Sequence, residues 1–375
     1  MKSLAVNGYT AAAVLDQIRG VFGKREWAFR YQLLSKTGAI LGDLTNVKEG
    51  SGSIRHDSEA VIKRTGKFTL VEDGSIDYYS NRVKPWIRIK MPDGGWAEWP
   101  LGVFLLTTPT KGIDVASVIA RDVDAYDMTI VLQDDTVTDR YFVGSGAKYT
   151  DAIIELLSNT SGIWTWNVTP SLATLPAAKE WDPGTLKYDI IKDLINSISY
   201  NDIWFDGNGV AQVTPYVDPN DRTAEFDYST DATSVMLPDA EQTLDLFGRA
   251  NSWVFFVSNP DQTPLRVTRV NASVDSPTST VNRGRTITKM VQVDAAPDLF
   301  VLGQIADQKV LEETLVFETV KFRTGLMPMH ENIDMYTFDY TTLAPSGKYF
   351  EVSWDMQLNA GTTMNHVARR AVQIL

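Results

Sequence analysis

The sequence holds few groups of side chains whose types and spacing could perform chemistry, and an acidic run is the strongest of them. Asp134 and Asp135 are adjacent, and the aromatic pair Tyr141 and Phe142 follows shortly after. With a distant carboxylate such as Glu98, they could supply the acid and the base that glycosidic cleavage needs. No pattern in the sequence brings these carboxylates together, so a solvated loop between domains is the favoured interpretation.

A second group of oxygen ligands suggests calcium. Asp202 is followed by Asp206-Gly207-Asn208-Gly209, but the twelve-residue loop of a calcium-binding hand and its closing Glu are missing. Asn and Gly tolerate positive φ angles, and the apolar runs 203–205 and 210–213 flank the motif. The pattern therefore predicts a β-hairpin.

Nucleophile and phosphate motifs are incomplete. The chain has no Gly-x-Ser-x-Gly elbow, and Gly144-Ser145-Gly146 lacks the Gly-Lys-Ser/Thr ending of a phosphate-binding loop. We interpret this glycine-rich segment as a flexible joint.

Two tryptophan pairs could stack on sugar rings. Trp96 lies near Trp99, and Trp164 lies near Trp166. At these spacings in strands, core and interface positions are the favoured interpretation.

The sequence offers few side chains that could bind a metal and none that could form a disulfide. The chain has no cysteine, and its histidines, His56, His330 and His366, are far apart and lack the helical pair spacing of metallohydrolases. The sequence predicts no catalytic residue, no metal site and no cofactor, so the protein is not expected to be an enzyme.

Length and composition indicate a folded chain of two or three units. It has 375 residues, of which 43% are hydrophobic and 22% charged, with a net charge of −12. No apolar run is long enough to span a membrane, and the polar N-terminus does not resemble a secretory signal. The acidic balance argues against tight nucleic-acid binding, although it suits a passage that DNA must traverse without sticking. An even spread of charge that only aids solubility is equally compatible.

Strand patterns dominate the first part of the chain. Residues 86–91 and 96–106 flank the turn at 92–95, and Ile87, Ile89 and Met91 alternate with Arg88 and Lys90. The alternation predicts a hairpin with one buried face. A short amphipathic helix is predicted before it, at 11–22.

Helical spacing appears in the middle of the chain. Thr150 could cap a helix containing Ile153, and a second apolar stripe runs from about Thr185 through Ile190. With the hairpin at 206–209, these helices predict a small α/β unit at 149–220.

A second strand-rich region follows. It includes 253–257 and 265–270, a helix around 297–313 and the alternating strand 350–358, in which Phe350, Val352, Trp354, Met356 and Leu358 are predicted to face the core. Spacing at Met364, Val367, Ala368 and Ala371 predicts a short closing helix.

Several of these segments together resemble the tail hub proteins of long-tailed bacteriophages. The segments that carry the resemblance are 62–70, 77–78 with 82–86, 99–104, 125–127 with Leu132, 149–152, 206–207 and 276–278. None is a catalytic signature.

The resemblance implies an α+β, mainly β fold. It comprises two tail-tube-like antiparallel β-barrels with a small α/β domain between them and a small helical insertion in the second barrel. The implied domains are a first barrel with the N-terminal helix at 1–148, the α/β domain at 149–220, a second barrel at 221–274 and 312–375, and the insertion at 275–311. Three copies would then present six barrels and continue a sixfold tube.

The implied function is a structural virion protein. It would form a homotrimer at the distal end of the tail, assembled in the host cytoplasm, around the DNA exit passage. Its implied partners are the distal tail protein ring, the tape measure protein, and tip, fibre or receptor-binding proteins. Two alternatives remain: the distal tail ring protein, which would lack the helices at Ile153 and Ile190, and, less favoured, a carbohydrate-binding or cell-wall-hydrolysing protein.

Overall fold

The computed structural model describes residues 1–113, 119–257, 264–293, 296, 298–340 and 342–373. Its helices are α1 Ala11–Arg19, α2 Thr129–Asp134, α3 Tyr149–Ser158, α4 Lys187–Asn196, α5 Thr280–Arg283 and α6 Leu299–Glu313. None of the helices in these residues is long and apolar enough to cross a membrane.

Strands form most of the regular structure. The early strands are β1 Trp27–Leu34, β2 Ile40–Leu44, β3 Ser53–Asp57, β4 Arg64–Val71, β5 Arg82–Lys90, β6 Trp96–Pro100, β7 Phe104–Leu106, β8 Thr110–Ile113, β9 Ile119–Asp127, β10 Tyr141–Val143, β11 Trp166–Val168 and β12 Lys179–Trp181. The later strands are β13 Trp204–Phe205, β14 Ala211–Val213, β15 Phe226–Ser229, β16 Met236–Leu244, β17 Ser252–Val257, β18 Leu265–Val270, β19 Thr288–Val293, β20 Leu315–Thr324, β21 Met335–Tyr340, β22 Ala344–Gln357 and β23 Met364–Gln373.

The chain divides into two compact units. Unit 1 comprises Met1–Ala240 and Lys321–Ala368, and unit 2 comprises Glu241–Val320 and Arg369–Leu375. The predicted α/β segment 149–220 lies inside unit 1. Its core includes Ile153 and Ile190 from the helices together with Leu34 of β1 and Val103 just before β7, so the two regions share one hydrophobic core.

One large sheet contains most of the strands. Its order is β16-β20-β23-β22-β3-β4-β9-β7-β5-β1-β2, with β21 and β15 branching from β22, β6 from β5 and β8 from β9. We call β1–β9 the first β block, and β15, β16 and β20–β23 the second β block. They meet where β22 pairs with β3, Trp354 opposite His56. The mainly β, α+β class is confirmed, and no sheet in the described residues closes into a barrel.

The remaining strands form small sheets. In unit 2, β17 pairs antiparallel with β18 and parallel with β19, and Trp253 and Phe255 of β17 share a core with Leu302 and Ala306 of α6. The sequence placed β17 and β18 within the second barrel at 221–274, whereas these strands lie outside the large sheet. The helix expected around 297–313 is confirmed as α6.

Two helix predictions need correction. The segment predicted as a closing helix is strand β23, in which Met364, His366 and Ala368 are buried at every second position. A histidine in the buried set hides this alternation in the sequence. Helix α3 begins at Tyr149 after Lys148, and Thr150 is a buried helical residue rather than its cap.

The central hairpin is confirmed. Strands β5 and β6 pair from Trp86 opposite Pro100 to Lys90 opposite Trp96. Ile87 and Ile89 are buried while Lys84, Trp86, Arg88 and Lys90 are half-buried on the other face, as the alternation predicts.

Candidate functional site

Two of the three carboxylates considered for hydrolysis are held in separate ion pairs. Arg30 donates two hydrogen bonds to Glu98, at 2.8 and 2.7 Å, and these bonds lower the pKa of Glu98. Asp135 pairs with Lys187 at 2.6 Å, and Asp134 is exposed at the end of α2. A glycosidic acid needs a raised pKa, so Glu98 is poorly suited to that role.

The residues considered for calcium form a hairpin. Asp206 Oδ1 accepts hydrogen bonds from the backbone N–H groups of Asn208 and Val210, at 2.8 and 3.0 Å. Asp202 instead accepts from Lys63 Nζ at 2.8 Å and from the Tyr188 hydroxyl at 2.9 Å. These two aspartates therefore serve the turn and a salt bridge.

Close packing of this hairpin requires glycine at two of its positions. Gly209 has a φ of +80°, and a Cβ there would lie 2.8 Å from Val103 Cγ2. A Cβ at Gly207 would collide with the Pro100 carbonyl oxygen. The hairpin therefore packs directly against the first β block, and only glycine fits at these two positions.

The tryptophans divide between core and surface. Trp99 is buried and donates to the Ser3 carbonyl at 2.9 Å, so it cannot stack on a sugar. Trp166 packs against the α/β core. Trp164 lies against the Gly38 turn and lines an open pocket of about 440 Å³ with Trp86 and Lys84.

Cations and indole rings alternate on the outer face of β5. We call this set the cation–tryptophan face: Arg30, Lys84, Trp86, Arg88, Lys90 and Trp96. The Arg30 guanidinium and the Lys84 ammonium lie 4.4 and 4.7 Å from the Trp86 ring centre, and the Arg88 guanidinium lies 4.4 Å from that of Trp96. Such contacts keep the cations partly in solvent while their stems cover apolar surface. Arg82, at the start of β5, is buried instead and donates to the Ser80 carbonyl at 2.8 Å.

Among the residues that the structure describes, strand β2 forms one free edge of the large sheet. It pairs with β1 from Tyr31 opposite Leu44 to Leu34 opposite Ile40, and it ends the strand order. Ile40 and Leu41 are 65% and 56% exposed. An unpaired edge with exposed apolar residues is a template for pairing with another strand.

A buried charge joint connects three parts of unit 1. Glu331 accepts from Arg64 Nη2 at 2.8 Å and from the Gly207 backbone N–H at 3.1 Å, and Lys2 Nζ lies 3.4 Å away. Burial alone would raise the pKa of Glu331, but the Lys2 and Arg64 cations lower it overall. The first β block, the α/β hairpin and the second β block thus converge on one carboxylate.

A second buried cluster lies inside the second β block. We call His330, Asp334, Glu351 and His366 the histidine cluster. His330 Nδ1 lies 3.2 Å from Asp334 Oδ2 and 3.3 Å from Glu351 Oε2, and His366 Nδ1 lies 3.2 Å from the same Glu351 oxygen. All four side chains are at most 1% exposed.

Aromatic rings and hydroxyl groups surround this cluster. The Tyr228 hydroxyl lies 2.7 Å from His330 Nε2, and the Phe322 ring stacks on that of His366. Burial, and next the Glu351 charge, raise the pKa values of Tyr228 and Tyr336 well above the usual range. Burial is also the main cause that lowers the pKa of His366.

Sequence reasoning missed the histidine cluster. Among the described residues, His330, Glu351 and His366 are the set whose ligand atoms come within 4.8 Å of one another and could hold a metal. The one available signal was His366 at the alternating positions of Met364 and Ala368. His56 lies elsewhere, stacked on Trp354 and bonded to Asn332 at 3.0 Å.

Comparison with known proteins shows a likeness of fold. No family model and no curated protein matches the sequence. A tail protein from Neisseria meningitidis MC58 is similar, with a TM-score of 0.58, 13% identity, and 92% of this chain and 97% of that chain covered. The 43 kDa tail protein of prophage MuSo2 from Shewanella oneidensis has a TM-score of 0.55 at 10% identity, covering 91% and 98%.

A third similar structure is prophage tail protein gp18 from Listeria monocytogenes EGD-e. Its TM-score is 0.51 at 11% identity, and the match covers 91% of this chain and 94% of that one. The resemblance to phage tail proteins is therefore confirmed at the level of fold: the chain has the fold of these tail proteins along nearly its whole length.

Proposed function

We propose that this chain is a structural virion protein that forms the trimeric hub at the distal end of a phage tail. The observation that carries the proposal is the match of fold over more than nine-tenths of both this chain and three separate tail proteins. A whole-chain match supports a role of the complete fold rather than of one grafted site.

The arrangement of strands supports two structural halves. The strands of the first β block are contiguous in the large sheet, as are those of the second, and among the described strands the pairing that joins the two blocks is that of β22 with β3. We propose that these halves are the two tube-like barrels, with boundaries near 1–148 and near 221–274 with 312–375, except that strands β17 and β18 would belong with the inserted domain. Residues 149–220 and 275–311 would be the intervening α/β domain and the inserted domain.

Ring closure needs an interface, and strand β2 supplies a candidate. Its free backbone edge and exposed Ile40 and Leu41 suit pairing with an edge strand of a second copy of this chain. The buried joint at Glu331 would keep the halves fixed in each copy.

The hub would join the distal tail ring above to tip, fibre or receptor-binding proteins below, and would contact the tape measure protein. DNA would leave through the ring. An excess of Asp and Glu at the lumen would repel phosphate and prevent sticking.

Electron microscopy of the purified protein tests this proposal. We expect particles with threefold symmetry, a central passage and an acidic passage wall. Single-copy particles would contradict the hub, and a basic wall would contradict the charge argument alone.

Incubation with peptidoglycan separates the hub from the hydrolase alternative. We expect no release of soluble glycan, because Glu98 and Asp135 are held in ion pairs. Release that is lost in Asp134→Asn or Asp135→Asn would favour an enzyme.

A further inference from the structure

The histidine cluster has a proton arrangement that calls for an additional cation. The Thr324 hydroxyl donates its one hydrogen to the Gly325 carbonyl at 2.6 Å. The Thr324 oxygen also lies 2.9 Å from His366 Nε2, and with its hydrogen on Gly325 it accepts a hydrogen bond from that nitrogen. In this arrangement neutral His366 carries its hydrogen on Nε2 and has a bare lone pair on Nδ1.

That lone pair faces a carboxylate. His366 Nδ1 lies 3.2 and 3.4 Å from the two Glu351 oxygens, and all of these atoms are acceptors. Two acceptors in contact inside a buried core repel unless a proton or a metal ion lies between them. Glu351 is fully buried, so water cannot screen the repulsion.

A second imidazole adds to the demand for positive charge at Glu351. His330 Nδ1 lies 3.3 Å from Glu351 Oε2 and 3.2 Å from Asp334 Oδ2. Asp334 is already compensated, because its Oδ1 lies 2.9 Å from the N-terminal ammonium and its Oδ2 accepts from the Glu331 backbone N–H at 2.7 Å. The centres of the two imidazole rings are 4.8 Å apart, and charging both by protonation would place like charges side by side.

The distances also suit a metal ion. Charge-assisted N–H···O bonds are usually ~2.7–2.9 Å long, whereas the nitrogen–oxygen separations here are 3.2–3.4 Å. Ligand atoms ~2.0–2.1 Å from a tetrahedral zinc ion lie roughly 3.3–3.5 Å from one another. The hydroxyls of Tyr228 and Thr324 at the Nε2 atoms would act as outer partners that orient the rings.

We propose that the second β block binds one divalent transition metal, of the zinc class, through His330 Nδ1, His366 Nδ1 and Glu351, whose ligand atoms lie within 4.8 Å of one another. All three side chains are at most 1% exposed, so no substrate could reach the ion and its role would be structural. The metal would connect the loop before β21 with β22 and β23, and its charge would compensate Glu351. Because the site is buried, the ion would enter during folding.

The test uses the full chain, unfolded and refolded with either zinc or a chelator. We expect one zinc per chain after dialysis, a higher melting temperature than that of the chelated protein, and visible absorption typical of tetrahedral cobalt when Co²⁺ replaces zinc. His366→Gln and Glu351→Gln should lower the bound zinc by about tenfold or more.

A matched control is His56→Gln, which changes a buried histidine outside the cluster and should keep full zinc content. Wild-type protein that refolds equally well in chelator, with no zinc after dialysis, would overturn the proposal and show that protons fill the cluster. Equal zinc in wild type and His366→Gln would overturn the choice of ligands. If the variants fail to fold, zinc content and the cobalt spectrum of the wild type decide the matter.

Discussion

Strands β5 and β22 both lie within the large sheet, but they differ in where they place charged residues. In β5 the buried and half-buried positions alternate, and Lys84, Arg88 and Lys90 all lie on the outer face. In β22, Glu351 is buried on one face while Val352 and Trp354 are buried on the other. A strand with one solvated face shows its orientation in the sequence, whereas a strand covered on both faces can bury a charge if partners surround it.

The largest difference in stability between β5 and β22 is expected when a tryptophan of each strand is replaced by aspartate. Trp354 is 1% exposed, and its Nε1 donates to the Glu331 carbonyl at 3.1 Å. Trp354→Asp removes a large buried ring and buries a charge, so we expect a loss of at least ~4 kcal/mol and little folded protein. The yield of soluble protein and its near-ultraviolet circular dichroism measure this.

The matched change on β5 is Trp86→Asp, whose neighbours Arg30 and Lys84 can accommodate a carboxylate. That variant should fold. Equal folding of both variants would show that the environment of β22 has been misjudged.

Removing an arginine sharpens the comparison between buried and surface charge. Arg64→Met leaves Glu331 buried with one strong partner fewer, and breaking a buried pair costs ~3–5 kcal/mol. Arg88→Met, on the cation–tryptophan face, should cost less than ~1 kcal/mol. Urea unfolding measures both, and similar costs would argue against the Glu331 joint as a structural element.

Lowering the pH should destabilise the folded protein through the buried residue His56. Burial, and next the Arg64 charge, lower the pKa of His56 to about 3, from the ordinary value of 6.5 for a histidine. Between these two pKa values, His56 binds a proton in the unfolded chain but not in the folded chain. The free energy of unfolding therefore falls as the pH falls. The contribution is ~1.4 kcal/mol per pH unit.

His56→Gln removes this contribution and leaves His366 unchanged. Urea unfolding at pH 6 and pH 5 should therefore show a shallower pH dependence for the variant than for the wild type. Parallel slopes would mean that His56 titrates normally in the folded protein.

The smallest effect on stability is expected at the free edge. Leu41→Lys changes an exposed side chain of β2, so the free energy of unfolding should change by at most ~0.5 kcal/mol. The assembly should nevertheless dissociate, because a charged edge resists strand pairing. Leu172→Lys, at a 90% exposed leucine, is the control and should leave the mass of the assembly unchanged. Loss of assembly in both variants would point away from β2.

Local patterns predicted much of the fold. The hairpin at β5 and β6, the α/β helices and the core-facing Val352, Trp354, Met356 and Leu358 are confirmed, although Phe350 is only half-buried. The turn at 206–209 was also predictable, because the need for glycine is local.

The histidine cluster could not be predicted in the same way. His330, Glu351 and His366 are far apart in sequence, and only the pairing of the strands of the second β block brings them together. A buried polar residue also breaks the apolar alternation by which strands are recognised, and for this reason β23 resembled a helix.

The mass of the purified protein in solution tests the central claim most directly. Native mass spectrometry at low micromolar concentration should give three times the mass of the 41.8 kDa chain, with dissociation in Leu41→Lys. A stable single-chain mass, or a closed sixfold ring, would contradict the trimeric hub.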